Sequence, residues 1–169
     1  MLIIRAENEA DREAVRVVNE SAFGRREEAD LVDALRESAK PCVSLVAEEG
    51  GRVVGHIFFS PVVVESGRGA WPALGLGPMA VLPERQGRGV GSALVREGLS
   101  ECRRLGHEAV FVLGHARYYP RFGFAPAAAL GITCEFPSRV ENFMVVELRP
   151  GALAGRAGLV RYSPEFRGV

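Results

Sequence analysis

Read for the alternation of apolar and polar positions, the chain opens with a short apolar strand, Leu2–Arg5. It then enters a stretch in which Ala10, Ala14, Val17, Val18 and Ala22 recur at helical spacing. A break at Gly24–Arg26 leads to a second amphipathic helix, Glu27–Ser38, with Ala29, Leu31, Val32 and Leu35 as its apolar members and Pro41 beyond its end. Two β-rich runs, Cys42–Glu48 and Arg52–Glu65, are separated by Glu49, Gly50 and Gly51, the composition of a tight hairpin turn, so they are expected to pair antiparallel. Ser66–Pro72 reads as a glycine-containing loop. The apolar run Ala73–Leu82 is interrupted by Gly75, Gly77 and Pro78, which predicts a bulged or splayed strand.

Beyond a glycine-rich turn, Val90–Leu105 carries Leu94, Val95, Gly98, Leu99, Cys102 and Leu105 on one helical face. Arg96, Glu97, Glu101, Arg103 and Arg104 fall on the other, and Gly106 supplies the stop. Ala109–Leu113 is almost wholly apolar, as in a strand buried at the centre of a sheet. A short helix is expected at Tyr118–Phe122 and a strand at Phe143–Leu148, with a further strand candidate at Gly158–Tyr162, while Ala125–Arg139 has no clear period. This order of elements predicts one mixed α/β domain over residues 1–169, with no internal repeat and no linker.

Composition narrows the function classes. Lys plus Arg and Asp plus Glu both number 21, so no global charge points to a nucleic acid or an acidic membrane, and any electrostatic function is local. The three cysteines, Cys42, Cys102 and Cys134, are odd in number and form no CxxC pair, which argues against a disulfide framework or a metal site. The first residues acquire charge at once and no apolar run reaches the ~20 residues of a membrane span. A soluble protein of the reducing cytoplasm is expected. Cys102, on the apolar helix face, reads as core, and His107 as part of a helix terminus.

The segment Pro78–Gly91, PMAVLPERQGRGVG, runs from a strand through a glycine-rich turn into a helix. Gly87, Gly89 and Gly91 allow successive amides to turn towards one centre, and the helix adds its N-terminal dipole, so a phosphate or pyrophosphate is the natural guest. A nucleoside triphosphate loop needs a GK[ST] ending that is missing here. The dinucleotide-like spacing Gly75, Gly77, Ala80 is followed by more strand rather than a helix.

The loop resembles motif A of the GNAT (Gcn5-related N-acetyltransferase) superfamily, whose Q/RxxGxG/A pattern is met by Gln86, Gly89 and Gly91. The resemblance extends over the order of elements and through YPRFGF at Tyr119–Phe124. The ending PGALAGRAGLVRYSPEF is similar to bacterial predicted N-acetyltransferases, mostly of unknown substrate. It implies a central mixed, mostly antiparallel sheet of about six or seven strands with a splayed central strand, flanked by about four helices, and acetyl-CoA as cosubstrate without a metal. It also implies that Met79, Ala80 and Val81 lie along the pantetheine arm. The amides of Gln86, Gly87, Arg88, Gly89, Val90, Gly91 and Ser92 would hold the pyrophosphate, with Arg85 and Arg88 near outer phosphate oxygens.

Tyr119, five residues before Phe124, is implied as the acid near the cofactor sulfur, with Tyr118 as the weaker alternative. Many relatives that acetylate protein lysines carry a glutamate four residues before the position of Met79, where this chain has Gly75. Candidate bases are therefore His56, His115, Glu48 and Glu65, or water on a backbone carbonyl. Trp71 either lines an acceptor pocket or anchors its loop. The expected partner is an amine on a small molecule or a protein, with no sign in the sequence of which, nor of the oligomeric state. The missing glutamate leaves a second reading, an acetyl-CoA-binding sensor without turnover.

Overall fold

The computed structural model describes residues 1–169, and nearly every apolar run becomes a regular element. In chain order these are β1 (Leu2–Ala6), α1 (Arg12–Phe23), α2 (Glu27–Ser38), β2 (Val43–Glu49), β3 (Arg52–Ser66) and β4 (Gly69–Val81). They are followed by α3 (Val90–Arg104), β5 (Ala109–Leu113), β6 (Ala125–Pro126), β7 (Ile132–Cys134), β8 (Phe143–Glu147) and β9 (Gly158–Arg161). The strands form one sheet in the order β1-β2-β3-β4-β5-β8-β6, with β9 pairing β3 and β7. On the main path only β4 and β5 run parallel, joined by the α3 crossover that parallel neighbours require.

Several boundaries differ from the sequence reading. Tyr119–Phe122 is a single 3₁₀ turn, so three α-helices flank the sheet rather than four. The expected loop Ser66–Pro72 is mostly strand: β3 and β4 continue as a paired arm out to Ser66 and Gly69, because Val62 and Val64 are buried and cross-strand pairing with Ala70–Ala73 satisfies the backbone. Ala125–Arg139, without a clear period in sequence, supplies the very short β6 and β7, which depend on β8 and β9 for partners.

Helix α1 buries Val15, Val18 and Asn19 and turns Val17 outward, and Leu105 lies past the end of α3 and is half exposed. The α3 face meets expectation otherwise: Leu94, Val95 and Cys102 are fully buried against Ile57 and Phe59 of β3. Each such large apolar side chain contributes ~1.5–3 kcal/mol of burial free energy. Burial also pushes the Cys102 thiol up to about 12, consistent with an inert core residue. On the opposite face α1 and α2 pack over Val46 and Phe58.

Two features of β4 position the site. Leu76 pairs with Phe59 and Met79 with Ile57, so Gly77 and Pro78 form a bulge, with Gly77 at φ 146°. Pairing with β5 covers only Leu74–Leu76, leaving that edge of β4 open from Gly77 to Val81. The strand expected to splay does so, and a cleft opens between β4 and β5.

Candidate functional site

The turn after β4 is built as an anion cradle. Gly87 and Gly89 have φ of 74° and 85°, a region glycine enters without strain, and Gly89 caps α3. The amides from Gly87 to Ser92 donate to no carbonyl or side chain of the protein. They stand at the positive end of a helix fifteen residues long. A cleft of about 540 Å³ lies over them, walled by Met79, Ala80 and Val81 together with Ala22, Phe23, Tyr118 and Arg121.

The expected binding residues gather here with one exception: Arg85, Gln86, Gly87, Gly89, Val90, Gly91 and Ser92 line the cleft, and Arg88 does not. Arg85 is engaged, its Nε donating to Glu49 Oε1 at 2.6 Å. Gln86 reaches back to cap the Val81 carbonyl at 3.0 Å, so that carbonyl already has a donor. Arg121 and Tyr118 belong to the cleft although sequence reading assigned Arg121 no role. The Arg121 guanidinium stacks on the Tyr118 ring at 4.7 Å and donates to the Tyr118 carbonyl. The three-residue spacing within YYPR was the one signal for this pair.

A second cavity of about 800 Å³ adjoins the first, and Phe23, Met79 and Tyr118 line both. Tyr118 stands at the junction, its hydroxyl 3.3 Å from Ser92 Oγ at the start of α3. Tyr119 lines only the second cavity. It is buried, packed edge-on against Tyr118 and Phe124, and burial, aided by Tyr118, pushes its phenol up to about 12. A phenol so raised is protonated at neutral pH and able to donate.

The candidate bases separate sharply. His56 is fully buried between α1 and β2, and burial, followed by the Arg36 charge, pushes it down to about 3. Its ring is used: Asn19 Nδ2 lies 3.2 Å from Nδ1 and Ser44 Oγ 2.9 Å from Nε2, while Ser44 donates to Glu7. That pattern assigns the neutral tautomer with the proton on Nε2. Glu48 pairs with Arg5 and Glu65 with Arg161, both outside the cavities. Only His115, exposed on the second cavity's wall, has access.

Trp71 faces neither cavity; Arg156 lies over its ring at 5.5 Å. The position of Gly75 is filled from elsewhere. A Cβ there would come within 2.9 Å of Tyr162 Cε2, so the ring of a residue just past β9 occupies the space a side chain at 75 would need. Nothing local in the sequence signals this contact, since the residues lie 87 positions apart. No helix is long and apolar enough to cross a membrane.

The family described as the acetyltransferase (GNAT) domain matches residues 3–127. An uncharacterized N-acetyltransferase of Escherichia coli, YjhQ, is 46% identical over 123 residues, covering 72% of this chain and 68% of that one. A second, YhbS, is 36% identical over 166 residues, 98% of both chains. The crystal structure of E. coli YhbS in complex with CoA superposes with a TM-score of 0.91 at 35% identity, over 98% of this chain and 92% of that one. A GNAT acetyltransferase from Brucella melitensis in complex with acetyl-CoA gives 0.79 at 38% identity over 98% of each chain. With the splayed strand, the amide-rich turn and these likenesses in agreement, the chain belongs to the GNAT acetyltransferase family.

Proposed function

We propose that the protein transfers acetyl directly from acetyl-CoA to a primary amine, with the first cavity holding the cofactor and the second the acceptor. The observation that carries this reading is the junction: the two cavities meet at Met79 and Tyr118, on the open edge of β4. The residues present fit acetyl-CoA. Free amides from Gly87 to Ser92 suit the pyrophosphate, and the unpaired edge at Met79–Val81 suits an extended amide-bearing arm. Gln86 leaves the Val81 carbonyl or shares it when that arm arrives. Arg85 exchanges Glu49 for phosphate, and Arg88 contributes from outside the cleft wall.

The amine nitrogen attacks the thioester carbonyl, forming the C–N bond as the C–S bond breaks. An alkyl amine with a pKa near 10.4 is neutral in only about one molecule in a few thousand at pH 7. His115, directly or through water, takes the proton from the amine. Tyr119 donates its phenolic proton to the departing thiolate, and bulk solvent restores it.

The deciding experiment is calorimetric titration with acetyl-CoA beside a thiol-release assay over a panel of amines. Binding with turnover supports the enzyme. Binding without turnover of any amine favours the sensor reading that Gly75 leaves open, and absence of binding overturns both.

A further inference from the structure

We propose that the second cavity selects primary amines carried on an aromatic or branched apolar frame, and that the Tyr162 ring, seated where a side chain at position 75 would stand, is the part of the wall that grips that frame. This rests on the acetyl-transfer reading above and narrows its acceptor class.

The cavity wall is aromatic and apolar. Tyr162 sits between Phe136, tilted at 5.5 Å, and Phe166, edge-on at 5.1 Å, and all three line the cavity with Tyr119 and Phe23. No lysine or arginine lines it. Its one side-chain carboxylate, Glu28, is buried and held by Arg25, whose Nε and Nη2 reach Oε1 and Oε2 at 2.9 and 2.5 Å. A polyamine or aminoglycoside needs several free carboxylates for its several ammonium groups, and no side chain of this wall has one to give. An apolar frame with one ammonium group meets rings that stabilise it by cation–π contact and dispersion.

Around Gly75 two polar atoms lack partners. The Tyr162 hydroxyl is closed from solvent and has no hydrogen-bond partner. Ser60, which pairs with Gly75 across β3 and β4, is fully buried and its hydroxyl is also unpartnered. Both hydroxyls are closed off, so what Tyr162 presents to the cavity is its ring. Tyr162 is held in position from two sides. Its backbone N–H donates to Glu135 Oε2 at 2.5 Å, and its ring fills the gap at Gly75 against Val62. Burial raises its phenol above the usual range, so the ring that meets the cavity stays uncharged.

The experiment compares phenethylamine and isoamylamine with spermidine and kanamycin in the thiol-release assay. The expected kcat/KM for the apolar amines exceeds that for spermidine by at least about tenfold, the size of one good contact. Tyr162→Leu removes the ring and should raise KM for phenethylamine about tenfold while leaving the acetyl-CoA dissociation constant as it was. Gly75→Ala, which forces the ring aside, should raise KM in the same direction. Equal or better turnover of spermidine overturns the proposal, as does an unchanged KM in Tyr162→Leu. So does octanoyl-CoA serving better than acetyl-CoA, which would give the cavity to the acyl chain. If acetyl-CoA binds and no apolar amine is turned over, this inference fails alone; if acetyl-CoA does not bind, the acetyl-transfer reading fails with it. Should Tyr162→Leu not fold, the selectivity of the unaltered protein still decides.

Discussion

Gly114 and Tyr119 are built to fit one another: a Cβ on Gly114 would lie 2.5 Å from Tyr119 Cε2, inside any tolerable contact. The glycine at the end of β5 therefore seats the ring that carries the proposed acid. Gly114→Ala should displace the phenol and lower kcat by about tenfold or more, since a misplaced catalytic group loses its geometry first. Acetyl-CoA affinity, measured by calorimetry, should change little because Tyr119 lines only the acceptor cavity.

Tyr119→Phe keeps the packing against Phe124 and removes the proton donor. We expect kcat to fall about 10²-fold, the usual range for losing a general acid. In the unaltered protein the phenol is held at about 12, so its deprotonation should not limit kcat at any pH below about 10. A rate that declines through pH 8 to 9 and keeps that decline in Tyr119→Phe would assign the limb to another group.

Gly89 holds φ 85° at the cap of α3. Gly89→Ala costs about 1–2 kcal/mol for the left-handed conformation or else shifts the turn. Either way the amides of the cradle lose alignment, and the acetyl-CoA dissociation constant should rise about tenfold or more. An unchanged constant would remove the turn from the cofactor site.

Within α3, Gly98 faces Phe59 so closely that a Cβ would come within 2.5 Å of ring atom Cε1. Helix propensity alone favours alanine by about 1 kcal/mol. Overpacking against a fully buried ring should win, and Gly98→Ala is expected to destabilise by a net ~1–2 kcal/mol in urea unfolding.

His56 makes stability sensitive to mild acid. Its folded value of about 3 lies below the unfolded value near 6.5, so between these limits the unfolded chain binds more protons and stability falls as pH falls. The groups facing the ring are Asn19, Ser44 and, more distantly, Arg36, itself paired with Glu7, and none offers the imidazolium a free anion. From pH 6.5 to 5, above the range of the paired carboxylates, the slope should approach about 1.4 kcal/mol per pH unit. His107, also lowered by burial, adds a smaller part, so urea unfolding of His56→Gln should show a visibly shallower slope.

The sequence by itself determined the order of elements, the face of α3, the bulged β4 and the amide-rich turn, because each follows from local periodicity or from glycine and proline at one short stretch. Gly87 and Gly89 could be read as a cradle without coordinates, since the conformation they permit is a property of single residues. Tertiary structure alone decided which charges and rings were free to act. His56 looked available and is sealed by Asn19 and Ser44, and Arg85 is paired with Glu49, a residue 36 positions earlier in the chain. Tyr162 meets Gly75 only because β9 returns to pair with β3, and Tyr118 reaches the junction only because β5 parts from β4 after Leu76. Burial and pairing are set by neighbours distant in sequence, and no local pattern carries that information.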